Sequence, residues 1–464
     1  MKQKRGLLQM RNTEITGLHR LSAAQAAMLI KSRQITSVDL VSALLDRVDT
    51  RDKTVGAWQH LEPERALEQA RQLDAREPAG PLHGVPVGVK DIIDTFDTPT
   101  AYGSRIYRQH RPSRDATCVR RLRSAGAVIM GKTVTTEFAL FHPGKTANPR
   151  DVARTPGGSS SGSAAAVVDC MVPVALGTQT AGSIIRPASF CGTFGFKPTF
   201  GALSRAGIRE ISPTLDTLGH FARSVEDLAL VATVLAGHDP ADPATRGTTH
   251  TRFDKATFAQ QWPRRIAFIP TSQWDRVDPR ARARIEEALT VLTDVDIDEV
   301  SLPPDFDELV NAQISIMERE AFNSLRDEWE RNAELISSEL AALLERGRDV
   351  SRNVYEAALE RTIVCRRRLL QVFEHYDFFI TPSVLGEAPI GLRSTGDPLF
   401  CRMWTLLGAP AVAVPGLIGP DGLPLGVQVI GPLHRDDVAL AAAEWLSERL
   451  SLSFTPSQPG SEPE

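Results

Sequence analysis

Val38, Val41, Leu44, Leu45 and Val48 fall on one face of a 3.6-residue period, which predicts an amphipathic helix with Ser37 as its cap. Ser22 caps an earlier helix through LSAAQAAMLIKSR, and residues 64–76 predict a third. After Pro78, Gly80 and Pro81 the period changes. Val85, Val87 and Val89 alternate with Pro86, Gly88 and Lys90, the two-residue repeat of a strand. A helix over 116–124 leads into a short strand at 127–130. Strand signals return in FFITPS (378–383), PAVAVP (410–415) and GVQVIG (426–431), followed by a last helix at 436–450. Strands interleaved with helices along the chain predict an α/β sheet covered on both sides.

Between Thr155 and Pro198 the chain is poor in charge and rich in Gly, Ser and Ala, so backbone lies close to backbone or to a ligand there. The block 250–375 is charged and helical, an elaboration rather than the centre of the fold. The Pro/Ser/Gly residues 453–464 read as a disordered tail. We read 1–464 as one domain: helices in 1–79, a core at 80–230, the elaboration at 250–375 and a return to the core at 376–452. With 53 Lys+Arg against 57 Asp+Glu, the chain has no global pull toward nucleic acid or anionic lipid. Five scattered cysteines, none at C-x-x-C spacing, give neither a disulfide framework nor a thiolate zinc site, and fit a reducing cytoplasm. The first residues, MKQKRGLLQM, lack the apolar stretch of roughly 7–15 residues that a secretory signal needs. Pro410, Pro415 and Pro420 interrupt the longest charge-free stretch, Met403–Pro420, which disqualifies it as a membrane-spanning helix.

Two short patterns mislead. Gly126–Thr133 matches G-x-x-x-x-G-K-[ST], but its middle residues Ala, Val, Ile and Met favour a buried strand over a phosphate-cradling turn. Gly158–Gly162 matches G-x-S-x-G, which would make Ser160 a nucleophile served by His220, His238, His250, His375 or His434. What precedes it, however, is the polar loop ANPRDVARTP rather than an apolar strand. No H-E-x-x-H pattern supports zinc hydrolysis.

Three features survive. Lys90 lies on the strand face opposite Val85, Val87 and Val89; it is either a solvated edge charge or, if covered, an amine with a depressed pKa. The loop Gly157–Ser163 runs directly into the helix-like Ala164–Val168, whose first N–H groups could hold an anion. Thr180-Ala181-Gly182-Ser183 is a tight turn ending in a hydroxyl. Jointly they suggest a serine nucleophile with a lysine base.

Along residues 80–225 the chain resembles the amidase signature family of serine hydrolases. The resemblance rests on GVPVGVKD (84–91), GKTVTTEFA (131–139), TPGGSSSGSAAAV (155–167), GSIIRPASFCGTFGFKPT (182–199) and LDTLGHFARSVEDLA (215–229). It resumes at WTLLGAPAVAVPG and GLPLGVQVIG. It implies a central mixed, largely parallel sheet and a Ser–cis-Ser–Lys triad, with Ser183 as nucleophile, Ser159 as bridging serine after a cis peptide, and Lys90 as base. Backbone N–H groups of Thr180, Ala181, Gly182 and Ser183 would hold the oxyanion. It also implies hydrolysis of a small-molecule C–N amide bond through an acyl-Ser183, with no metal and no organic cofactor. Carbamates, ureas and esters suit the same triad. The family also includes the amidase component of a tRNA-dependent transamidosome, and a member that only binds is the remaining alternative. A homodimer is compatible with the family, and the sequence leaves the oligomeric state open.

The chain departs from the family's usual D-T-G-G-S-I-R-x-P in three places. Gln179 replaces Asp and removes a charge near the lysine, Ala181 replaces Gly, and Arg186 lies one place later. Arg186 has two readings: it reaches the pocket and binds a substrate carboxylate, or it forms an internal ion pair.

Overall fold

The computed structural model describes residues 17–247, 251, 253, 265–292 and 295–453. The leader reading falls on 1–16, outside the described residues, as does His250; of the tail read at 453–464 only Ser453 is described, and it ends the last helix rather than the tail. The first helix, α1 (Ala23–Lys31), starts in a capping box in which Ser22 Oγ accepts from Gln25 N and the Gln25 side chain accepts from Ser22 N. In α2 (Ser37–Val55) the cap is Thr36, one residue before the serine expected, because Thr36 and Asp39 form the reciprocal pair. Ser37 N donates instead to Asp74 of the neighbouring helix.

The chain continues through β1 (Trp58–Leu61), α3 (Pro63–Asp74), β2 (Pro86–Lys90), α4 (Thr117–Ser124), β3 (Val128–Thr133) and α5 (Ser161–Val168). Next come β4 (Val174–Gln179), α6 (Ile185–Cys191), β5 (Phe194–Lys197), β6 (Thr217–Ala222) and α7 (Val225–Leu235). The elaboration holds β7 (Arg265–Phe268), α8 (Pro279–Thr290), β8 (Asp296–Glu299), α9 (Leu309–Arg331), α10 (Ser338–Asp349) and α11 (Arg352–Phe373). The return to the core is β9 (Phe378–Pro382), α12 (Leu399–Leu407), β10 (Ala411–Val414), β11 (Val427–Ile430) and α13 (Asp436–Ser453).

The 11 strands among the described residues join one mixed sheet in the order β1-β3-β2-β4-β6-β5-β10-β11-β9-β7-β8. Parallel ladders unite β3, β2 and β4 on one side and β9, β7 and β8 on the other, with antiparallel pairs between them. Side chains alternate across a strand, yet every residue of β2, β3, β4 and β6 is buried. Both faces of the sheet are therefore covered by helices, and β2 is an interior strand. The small residues of α5 let that helix lie directly on β2, β3, β4 and β6. A chain of apolar side chains continuous from Ala23 to Leu450 forms the core. No described helix is long and apolar enough to cross a membrane.

Candidate active site

Lys90 ends β2 in the middle of the sheet and is fully buried, so the solvated-edge reading fails. Its Nζ lies 2.7 Å from Ser159 Oγ, 2.8 Å from Thr178 Oγ1 and 3.5 Å from the Thr178 carbonyl. Burial holds the Lys90 pKa well below the ordinary lysine range, opposed by the negative charge of Asp216. The amine therefore sits among hydroxyl oxygens with its charged form disfavoured.

Ser159 is carried by the loop before α5, where the Gly158–Ser159 peptide is cis. Gly157 has φ 81°, and a Cβ there would lie 2.8 Å from Pro187 Cα, so both conformation and close approach require glycine. The loop is held on both sides of Ser159: Arg186 Nη2 donates to the Gly158 carbonyl (2.7 Å) and Thr136 N to the Ser159 carbonyl (3.2 Å). Ser160 N donates to the Ser183 carbonyl (3.4 Å), which ties this loop to the nucleophile turn.

The turn Thr180–Ser183 joins β4 to α6, and each of its four carbonyls is occupied. Gln313 Nε2 of α9 donates to Thr180 O (3.0 Å), and Thr405 Oγ1 of α12 donates to Ala181 O (2.7 Å). Arg186 N donates to Gly182 O (2.9 Å), and Ser183 O is the acceptor for Ser160. In a planar trans peptide the next N–H points opposite to the carbonyl. Fixing these carbonyls therefore turns the N–H groups of Ala181, Gly182 and Ser183 to the other side. There they make no loop hydrogen bond among the described residues. Ala181 is not among the residues with positive φ, so its substitution for glycine leaves the turn intact. Ser183 is 7% exposed, and its hydroxyl has no hydrogen-bond partner among the described residues.

Gln179 does not face the lysine. Its Oε1 accepts from Ile184 N (2.8 Å) and Ile185 N (3.0 Å) at the start of α6, while Nε2 donates to Thr405 Oγ1 (2.9 Å). The acid that does act on Lys90 is Asp216, which accepts from Thr180 Oγ1 (2.6 Å), Ile211 N and Ser212 N. Burial pushes the Asp216 carboxyl up to about 6. Thr178, Thr180 and Asp216 border a cavity of about 260 Å³ whose other walls include Arg205 and Arg209.

Arg186 fits neither of its two readings. No acid among the described residues lies within ion-pair distance, and its two Nη donors are engaged by protein oxygens, Gly158 O, Gly396 O (2.6 Å) and Thr395 Oγ1 (3.1 Å), while its enclosed Nε has no partner among the described residues. It is a fully enclosed guanidinium that fastens the Ser159 loop to the 395–396 segment. Ser160 is equally internal: its Oγ donates to Thr178 O (3.2 Å) and accepts from Thr178 N (3.3 Å), and no described histidine bonds to it. The phosphate-loop pattern is the buried strand β3, in which Lys132 donates to Ile93 O and Thr100 Oγ1. Gln313 and Thr405 reach the turn from 133 and 224 residues away and carry no local signal in the sequence, and Arg402 acts on the turn only through its hydrogen bond to Gln313.

A model of the family described as Amidase matches residues 39–440. The chain belongs to the amidase signature family. A glutamyl-tRNA(Gln) amidotransferase subunit from Salinispora arenicola is 35% identical, with 95% of this chain and 99% of the relative aligned. The protein of the same name from Chloroflexus aggregans is also 35% identical, covering 95% of this chain and all of the relative. Among solved structures, the peptide amidase PAM bound to the competitive inhibitor chymostatin superposes with a TM-score of 0.82 at 30% identity, covering 95% and 99% of the two chains. A chain from the inhibitor-bound vestigial complex linked to the origins of an s-triazine catabolic enzyme gives 0.84 at 28% identity, over 95% and 100%. C–N amide chemistry is the family's reaction class.

Proposed function

We propose that this amidase hydrolyses the C–N amide bond of a small molecule through an acyl-Ser183 intermediate. The observation that carries the reading is the contact of a buried, depressed-pKa Lys90 with Ser159, beside a turn whose carbonyls are all tied back. An ordinary lysine is neutral in only about one molecule in a few thousand at pH 7; burial raises that fraction and gives an amine able to accept a proton. Lys90 takes the proton of Ser159, and Ser159 takes that of Ser183 as Ser183 Oγ attacks the carbonyl carbon. The developing oxyanion is held by the N–H groups of Ala181, Gly182 and Ser183, with Thr180 at the edge of the turn. Ser159 returns the proton to the leaving nitrogen, so that ammonia or an amine departs rather than an amide anion. Water then releases the acid.

The second reading, the amidase component of a tRNA-dependent transamidosome, is favoured by the names of the relatives at 35% identity. Against it stands Val134-Thr-Thr-Glu-Phe-Ala-Leu-Phe141, where such components usually carry N-x-D-E-F-A-M-G. The test is ammonia release by the chain purified alone, from a panel of amides, carbamates, ureas and glutamine. Turnover of small amides that disappears in a folded Ser183→Ala variant supports the first reading. Release from glutamine that appears only with partner proteins and charged tRNA replaces it with the second.

A further inference from the structure

Arg402 is a buried residue of α12, and no described acid lies within ion-pair distance of it. Burial lowers its pKa, and the two carboxylates that act the other way are engaged elsewhere: Asp397 with Arg276 (3.3 Å) and Glu318 with Arg346 (2.7 Å). Its charge is therefore not cancelled at close range. Arg402 Nη1 donates to Oε1 of Gln313, a side chain of α9 with no solvent exposure. A guanidinium has donors only, so it decides which way the Gln313 amide faces, with the oxygen toward Arg402 and the NH2 group toward the nucleophile turn. Gln313 Nε2 donates to Thr180 O at 3.0 Å and to Met317 Sδ at 3.7 Å. Thr180 is held at its other end as well, where Oγ1 donates to Asp216 (2.6 Å).

The Thr180 carbonyl and the Ala181 N–H belong to one planar peptide and point in opposite directions. A line of donors thus runs from the guanidinium through the Gln313 amide and this peptide to an N–H on the oxyanion side of the turn. In such a chain each hydrogen bond polarises the next, by on the order of 10–30% per bond. Positive charge at the far end, with no acid to cancel it, draws electron density from the Ala181 N–H and makes it a stronger donor to developing negative charge.

We propose that Arg402 and Gln313 form a relay that aims and polarises the Ala181 N–H for the oxyanion formed when Ser183 attacks. Gln313 is the positioning residue, Arg402 acts through it, and no proton moves along the line. The role rests on the acyl-Ser183 reading above and gives α9, in the elaboration, a part in the chemistry. It also accounts for a buried guanidinium without an acid, since a carboxylate there would cancel the charge that the turn uses.

Two measurements test this. The first is steady-state ammonia release from one small amide. Arg402→Met should lower kcat roughly 3- to 30-fold with KM within about twofold, and Arg402→Lys, which keeps a charged donor, should recover part of the loss. Gln313→Leu should cost roughly 10- to 100-fold in kcat. Gln313→Glu separates the relay from simple support: its carboxylate still accepts from Arg402 but has no N–H for Thr180 O, so kcat should fall as far as in Gln313→Leu. A kcat near wild type in Gln313→Glu overturns the proposal. Adding Arg402→Met to Gln313→Leu should change kcat by less than about twofold; a second full loss means that Arg402 acts by another route and also overturns it.

The second measurement does not depend on the reaction. The chain has three Thr–Ala pairs, at 100–101, 146–147 and 180–181, so carbonyl-labelled threonine combined with nitrogen-labelled alanine gives three cross-peaks by NMR. Weakening the hydrogen bond to Thr180 O shields both nuclei of its peptide. Gln313→Leu and Arg402→Met should therefore move the 180–181 peak upfield, Arg402→Met by less, and leave the other two in place. A peak that stays fixed in Arg402→Met overturns the relay. A wild type that a fluorophosphonate does not label at Ser183 refutes the acyl-serine reading instead, and the peak positions then decide whether Arg402 polarises the turn.

Discussion

Replacing Thr405 by valine keeps the shape and β-branching of a buried side chain and removes one hydroxyl. That hydroxyl donates to Ala181 O at 2.7 Å and accepts from Gln179 Nε2 at 2.9 Å. The variant leaves two buried polar groups without these partners, at about 1–3 kcal/mol of stability each. The larger consequence is for the peptide plane between Ala181 and Gly182. Its carbonyl loses its anchor, so its N–H no longer has a fixed aim at the oxyanion. Removing an oxyanion donor outright costs about 2.7–4 kcal/mol, or roughly 100- to 1000-fold in kcat. A donor freed rather than deleted should cost less, roughly 10- to 100-fold in kcat, with KM within about twofold. The assay is steady-state ammonia release from one small amide, with thermal unfolding measured on the same preparations. A kcat within twofold of wild type, in a variant whose unfolding temperature has dropped, would refute the argument that α12 aims the Gly182 N–H.

Other consequences follow from the same geometry. The rate of Ser183 acylation should rise with pH through an apparent pKa well below 10.4, because burial disfavours the charged lysine, and should be lost as pH falls and Lys90 protonates. In Lys90→Met that rate should drop by about 10²- to 10⁴-fold and lose this pH dependence, as stopped assays across pH 5–10 would reveal. Asp216→Asn removes the charge that favours protonated Lys90, so the acid limb of the same profile should move to lower pH; a shift upward would contradict the assignment. Arg186→Met should slow neutral and anionic amides alike and lower the unfolding temperature, because the guanidinium is engaged by Gly158 O, Thr395 and Gly396 O rather than by substrate.

Legibility in the sequence followed the kind of contact involved. Strands with uninterrupted apolar residues, such as PAVAVP and FFITPS, were readable; β1 (WQHL) and β8 (DIDE) were not, since their edge positions permit polar residues in place of alternation. The second helix shows the limit on boundaries, because Thr36 and Ser37 both suit a cap and the Asp39 side chain decides between them. Lys90, Ser159 and Ser183 stood out because each lies in an unusual local setting at a spacing the family shares. Arg186 was read for its charge, but its partners are backbone carbonyls, which no letter of the sequence records. Gln313 and Thr405 act on the turn from 133 and 224 residues away, so only the folded chain reveals them.

The central claim is that Ser183 is the nucleophile, and intact mass after treatment with a serine-reactive fluorophosphonate tests it most directly. Wild type and Ser160→Ala should each gain one adduct, and a folded Ser183→Ala should gain none. An adduct that persists on Ser183→Ala, or that is missing from Ser160→Ala alone, would contradict the account and move the reactive serine out of the nucleophile turn.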